Sequence, residues 1–379
     1  MNGRILTTHT GSLPRPPYLR DALVAREAGI PVDEHRLRRE VAGAVHEIVR
    51  LQREAGVDVL NDGEQGKISY STYVKDRLTG FNGESRAPSG GGSRDMAEHP
   101  EWAKRWLEMI GRAALKRPAC NGPVALADPG AVERDIAALR AAAGESDQLF
   151  MSAASPGVIA IFFANDYYPS HEAFVAALAD AMSHEYRSII DAGITLQVDC
   201  PDLAMSRHSS FADKPVEEFR RALRVNVEAL NSALTGIPPQ RVRIHVCWGN
   251  YAGPHTYDIP LREIVEILFE ANAAGLSIEG ANPRHAHEFA VFDEVKLPDG
   301  KYLIPGVVDS TTNYVEHPEL VAQRIVNYAQ RVGRDNVMAG SDCGFATSAP
   351  MEMVVPSVVW AKLNAMAEGA AAASSRLWP

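Results

Sequence analysis

Apolar residues recur along this chain at three-to-four spacing, in runs that end near a glycine and lead into a short β-branched stretch and then a polar cluster. The unit appears as E-I-V-R-L-Q-R-E-A-G-V-D-V-L-N-D-G-E ending at Glu64 and as S-I-I-D-A-G-I-T-L-Q-V-D-C ending near Asp199. It returns as V-E-I-L-F-E-A-N-A-A-G-L-S-I-E at Glu279 and as I-V-N-Y-A-Q-R-V-G-R-D-N-V-M-A-G-S-D-C at Cys343. The spacing marks the buried face of an amphipathic helix and the glycine suits a helix C-cap, so each copy predicts helix, loop and strand.

Further strands are predicted near residues 5 (I-L-T-T-H-T), 120 (P-A-C-N-G-P-V-A-L), 150 (L-F-M-S-A-A-S), 241 (R-V-R-I-H-V-C) and 302 (Y-L-I-P-G-V-V-D). That makes nine segments, one more than a closed eight-stranded barrel needs. Strands alternating with helices imply an α/β fold with a parallel sheet, either a (β/α)8 TIM barrel or a doubly wound sheet. The barrel is favoured because polar groups follow nearly every strand, at the carboxyl end where barrels build their sites.

Residues 1–379 are read as one catalytic barrel domain, with about 82–127 as an insertion. That stretch fits the repeat poorly: S-G-G-G-S precedes an aromatic and charged run through Trp102 and Trp106, expected to be a loop and helix over the barrel mouth, with the strand near Cys120 belonging to it. The last residues, G-A-A-A-A-S-S-R-L-W-P, are expected to fray.

Composition narrows the partners. A net charge of −10 with scattered Lys and Arg lacks the footprint of a nucleic-acid or anionic-membrane binder, which leaves a small molecule. No apolar run approaches the ~18 residues that span a bilayer, and the amino terminus lacks a secretory pattern, so a cytoplasmic setting is expected. Homo-oligomerisation is left open. The four cysteines, Cys120, Cys200, Cys247 and Cys343, are too sparse for a disulfide scaffold and are free to bind metal.

His245 and Cys247 lie two apart on a predicted strand, so imidazole and thiol point to the same face. Alone, the pair suits core packing as well as metal binding. Cys343, between Asp and Gly at another strand end, and Glu279, at the end of the strand after His-x-Cys, complete a candidate zinc set. Cys200 should face the other way and be structural. Two thiolates, a carboxylate and an imidazole bring three negative charges to Zn2+, a site that acidifies water poorly but can hold a substrate thiol as thiolate. Nucleophilic alkyl transfer to sulfur fits better than hydrolysis.

These residues resemble the carboxyl-terminal catalytic barrel of cobalamin-independent methionine synthase and its short stand-alone relatives. The resemblance runs through T-T-H-T-G-S-L-P-R at 7–15, D-G-E-Q at 62–65, L-Q-V-D at 196–199, I-H-V-C at 244–247, S-I-E at 277–279, G-V-V-D at 306–309 and S-D-C-G at 341–344. It implies zinc ligands at His245, Cys247, Glu279 and Cys343, the glutamate being the one an incoming thiol displaces. It also implies thiol-substrate contacts at Ser12, Glu64 and Asp199, the two acids holding an ammonium group, and methyl transfer to homocysteine by a zinc-bound thiolate. Two departures bear on the donor. The family's histidine after G-V-x-D is replaced by Ser310, Thr311 and Thr312, with His9 a candidate proton donor, and there is room for only one barrel. C-W-G-N-Y-A-G-P-H and A-I-F-F-A-N-D-Y-Y-P are more similar to epoxyalkane:coenzyme M transferase, so epoxide opening by a thiol is the alternative. A zinc hydrolase or lyase is the rival of another class.

Overall fold

The structure is a computed structural model that describes residues 3–85, 93–109 and 115–379. Its strands are β1 (Val59–Leu60), β2 (Gln148–Ala154), β3 (Thr195–Asp199), β4 (Val242–Val246), β5 (Gly275–Ile278), β6 (Tyr302–Val308) and β7 (Gly340–Ser341). They form one parallel sheet in sequence order, each strand beside the next. Helices α1 (Pro17–Ala28), α2 (Glu34–Glu54), α3 (Arg94–Glu98), α4 (Pro100–Met109), α5 (Gly130–Ala142) and α6 (Pro156–Phe162) are followed by α7 (His171–Asp191), α8 (Val216–Ala233), α9 (Val265–Phe269), α10 (Pro318–Val332) and α11 (Pro356–Leu377).

The sheet curls, as in a TIM-like barrel, but among the described residues it has seven strands and is not a closed ring of eight. The strand expected near residue 5 is a single parallel bridge between Thr7 and Ala339. That segment still touches both sheet edges: Ala339 N–H donates to Leu6 O at 2.8 Å and Val59 N–H donates to Thr7 O at 3.0 Å. It stays short because Thr7 N–H is given to the Asp58 carboxylate at 2.9 Å instead of a strand carbonyl. The segment near 120 is likewise one bridge, Cys120 to Asn165.

Strand alternation sorts the side chains. Leu196, Val198, Ile244 and Val246 are buried in the core between sheet and helices. Gln197 and Arg243 point the other way, into a polar interior where the Arg243 guanidinium donates to Gln197 Oε1, Thr8 Oγ1 and His9 O at 2.9, 3.1 and 3.1 Å. The same parity sends Asp199 and His245 inward at the carboxyl end, and the register sets them side by side.

Three of the predicted capping glycines end helices in the left-handed region: Gly56 (φ +79°), Gly193 (φ +76°) and Gly333 (φ +90°). The fourth does not. Gly275 opens β5, where an added Cβ would come within 2.6 Å of Arg243 Cβ, so close strand approach is what demands glycine there. The expected fraying tail is also corrected: it is the last part of α11, whose Ala370 and Ala373 are buried and whose Ser374 Oγ accepts Ile5 N–H at 2.9 Å. Alanine favours the helix, and the small residues let α10 approach.

Within about 82–127, S-G-G-G-S lies outside the described residues up to Ser93. Its helices α3 and α4 are tied to the loop after β4: Trp102 Nε1–H donates to Ala252 O at 2.9 Å, and Asp95 accepts the Tyr251 hydroxyl at 3.1 Å.

Candidate functional site

Two elements deliver the three candidate metal-ligating side chains that lie closest together. β4 ends at Val246 and presents His245 and Cys247, and the turn after β7 presents Cys343. Cys343 Sγ lies 3.6 Å from His245 Nε2 and 3.8 Å from Cys247 Sγ, all three residues buried. Ser277 Oγ, 3.1 Å from His245 Nδ1, occupies the other ring nitrogen and leaves Nε2 for the sulfurs.

Bond lengths of about 2.3 Å to sulfur and about 2.05 Å to nitrogen at tetrahedral angles imply ligand edges of about 3.8 Å (S–S) and about 3.6 Å (N–S). The observed separations match both, so this donor set fits a tetrahedral thiophilic ion such as zinc. Glu279 stands outside the close trio. Its Oε1 accepts Trp248 N–H at 2.8 Å and its Oε2 accepts the Asn282 amide at 3.2 Å.

The bond from Cys343 holds the Cys247 thiol well below its ordinary value, and the same bond, with burial, raises Cys343 well above it. Burial works against a charged His245, yet the bond to Cys247 and the negative charges of Cys247, Asp199 and Glu279 keep its pKa raised. Burial pushes Glu279 up to about 8.

Beside this trio lies a narrow cleft lined by Thr10, Ser12, Glu64, Tyr70, Asp199, Pro201, His245, Cys247, Asn250, Cys343, Gly344 and Thr347. Ser12, Glu64 and Asp199, the substrate contacts expected from the sequence, therefore line one cleft with His245, Cys247 and Cys343, the three candidate ligands that lie closest together. Glu64 holds a left-handed backbone (φ +55°), rare outside glycine. Its Oε1 accepts the Ser152 hydroxyl, while Oε2 is buried without a partner. Burial, then the Glu64 charge, pushes Asp199 up to about 7. Gly344 makes room for Ser12, whose Oγ would lie 2.0 Å from an added Cβ.

His9 is buried, with Nε2 2.9 Å from Gln52 Oε1 and Nδ1 accepting Gly11 N–H at 3.2 Å, and it does not line the cleft. Cys200 and Cys120 are spent on backbone carbonyls, of Val198 and Gly122. At the position where the histidine is replaced, Asp309 caps Thr311 and Thr312, and Ser310 Oγ–H donates to Asn250 Oδ1 at 3.0 Å. Sequence reasoning missed Tyr70, Asn250 and Thr347, which come from loops with no signal of their own. A wider groove runs between α2 and α5, but most of its charges are paired, as Arg77 with Asp135 and Arg134 with Asp128, and among the described residues no cluster of metal-ligating side chains lies in it.

A sequence model described as the catalytic domain of cobalamin-independent synthase matches residues 104–371. The chain is 26% identical over 366 residues to a methionine synthase of Saccharolobus solfataricus, covering 96% of this chain and 93% of that one. It is 23% identical to a methionine synthase of Sulfolobus acidocaldarius, over 89% and 85% of the two chains. The fold resembles that of a B12-independent methionine synthase from a Shewanella species, solved with selenomethionine, at a TM-score of 0.73 and 20% identity over 99% of both chains. A structure described as a vitamin-B12 independent methionine synthase from Listeria monocytogenes gives 0.67 at 19% identity, again over 99% of both.

Proposed function

The chain belongs to the cobalamin-independent methionine synthase family, and on that premise we propose that it transfers a methyl or larger alkyl group to the sulfur of a small amino-thiol, homocysteine being the candidate acceptor. His245, Cys247 and Cys343, with Glu279 as the displaceable fourth ligand, would hold a zinc ion. The observation that carries the reading is the convergence of two cysteine sulfurs and an imidazole at tetrahedral spacing on a cleft that also holds a carboxylate oxygen without a partner.

Zinc in such a set, when bound, favours the deprotonated form of a substrate thiol near neutral pH and leaves electron density on its sulfur. The chain supplies the rest. Glu64 Oε2 and the Asp199 carboxylate offer acceptors for an ammonium group, so the thiol carbon chain extends from them toward Cys247 and Cys343. An ammonium arriving between them supplies the positive charge that the Asp199 carboxylate lacks, since burial and the Glu64 charge otherwise drive Asp199 toward protonation. Ser12 and Thr10 add hydroxyls, and Tyr70 and Pro201 form an apolar wall that limits water. In the transfer a carbon–sulfur bond forms, the bond from carbon to its carrier breaks, and the carrier leaves with the electron pair. Residues 1–379 act in this reading as one catalytic unit, with about 82–127 inserted over the loop after β4.

The test is zinc-edge absorption spectroscopy on the zinc-loaded chain with homocysteine. A rise from two to three sulfur scatterers is expected. An unchanged count, with homocysteine present at saturating level, would sink the reading. Methyl-folate and epoxide donors are then compared by thioether formation, and a hydrolase would consume no thiol at all.

A further inference from the structure

The loop after β4 carries a second buried cluster, separate from the sulfur site. Asp258 sits at its centre: Oδ2 meets His255 Nδ1 at 2.7 Å and His285 Nε2 at 2.9 Å, and Oδ1 meets His208 Nδ1 at 2.8 Å. The outer nitrogens are also engaged, His285 Nδ1 with Glu288 Oε2 at 3.0 Å and His255 Nε2 with the Tyr251 carbonyl at 3.0 Å. His255 has φ +54°, a strained left-handed conformation for a side chain of this size.

The proton count follows from the acceptors. A carbonyl only accepts, so His255 Nε2 carries hydrogen, and the other three contacts of the two rings are made to carboxylates. Four hydrogen bonds need four protons, and two neutral imidazoles bring two. The remaining two sit on the rings rather than on Asp258 and Glu288, because imidazole binds a proton more tightly than a carboxylate by about two pKa units. Burial alone would raise Asp258 and lower His285; the bonds between them outweigh it, leaving Asp258 well below the usual carboxylate range and His285 at about 10.

A second metal ion is the competing arrangement, since His255, Asp258 and His285 are the right residue types. The geometry argues against it. Nitrogen–oxygen edges around a tetrahedral zinc ion are about 3.3 Å, whereas 2.7 and 2.9 Å are hydrogen-bond lengths, and both rings meet the same carboxylate oxygen, Asp258 Oδ2. The sulfur trio passes the same comparison with ligand edges.

His285 is linked to Glu279 through one intervening residue, Trp248. The His285 ring stacks on the Trp248 indole, centroids 4.0 Å apart, and Trp248 N–H donates to Glu279 Oε1. His255 stacks under Tyr251 at 4.1 Å. The other charged groups nearby are Asp95, reached through the Tyr251 hydroxyl, and Arg284, which donates to Thr256 O.

We propose that His255 and His285 are standing imidazolium ions pinned by Asp258 and Glu288, and that they act as positioning residues, a cationic backing for Glu279 and the Cys247 loop that supports metal binding. The protonation half stands by itself; the support half rests on the zinc reading above.

The test uses the full chain with 15N-labelled histidine, together with zinc content and affinity. Two rings protonated on both nitrogens through pH 8, with one zinc per chain, are expected; only singly protonated rings at pH 7 would overturn the proposal, as would a second zinc that Asp258→Asn removes. His285→Gln should weaken zinc binding roughly tenfold to a hundredfold. Unchanged affinity would overturn the support half, as would a wild-type chain that binds no zinc while its rings stay doubly protonated; that last result would mark the failure as one of the zinc reading, with the protonation assignment upheld.

Discussion

The sulfurs of Cys247 and Cys343, 96 positions apart in the chain, lie 3.8 Å from one another. Two buried thiols this close, with an imidazole beside them, are more costly as a packing solution than as a ligand set. If they hold zinc, Cys343→Ser should lower its affinity more than a hundredfold, a larger loss than outer-shell changes bring. Elemental analysis after dialysis should fall from one zinc per chain toward none, and retention of a full equivalent would remove the proposed centre.

Glu64 is expected to act through charge. Losing a charge-assisted hydrogen bond costs about 1.5–3 kcal/mol, so Glu64→Gln should raise KM for an amino-thiol roughly ten- to a hundredfold. A thiol without an ammonium group should show little change. Equal losses with both thiols would mean that Glu64 does not read the amino group.

Lys362 and Glu316 are buried together, their charges 2.9 Å apart, and Glu316 also accepts Asp309 N–H at 2.7 Å. Lys362→Met leaves a carboxylate buried without its cation and should cost about 3–5 kcal/mol in denaturant unfolding. Adding Glu316→Gln should recover part of that loss. A double variant no better than the single would show that Lys362 contributes packing alone.

His9 supplies a pH prediction. Burial, only partly offset by the Gln52 bond, lowers its pKa to about 4, below the ordinary 6.5 of an unfolded chain. The folded state thus prefers neutral His9, and its contribution, on the order of 3 kcal/mol, is present above pH 6.5 and is lost as pH falls toward 4. His9→Asn, which keeps an acceptor for Gly11 N–H, should flatten that part of the acid-unfolding curve. An unchanged slope would show that the ring does not titrate there.

Much of the strand order was legible because alternation and three-to-four spacing report directly on which face is buried. His245 and Asp199 could be assigned inward by parity alone, and the register then makes them neighbours. Gly275 misled because a glycine in a strand and a glycine at a helix cap look alike until the approaching Arg243 is seen. The terminal alanines misled because their partner, α10, is absent from local sequence. Tyr70 and Asn250 were invisible for the same reason: loops reach the cleft through tertiary contacts that carry no period. His208, His255 and His285 could be seen as residue types, but only their convergence on Asp258 gives them meaning.

The segment Leu6–Thr8, lodged between Val59 and Ala339, also bears on how the protein is made. Val59 follows it closely in the chain, yet its other neighbour, Ala339, is reached only after β6 has been made. The loop between Thr7 and Ala339 must close before Ser12 meets Gly344, so the cleft proposed to bind the thiol cannot be completed until β7 has been made. Nascent chains stalled before β7 should therefore carry helices and a partial sheet but no thiol-binding competence.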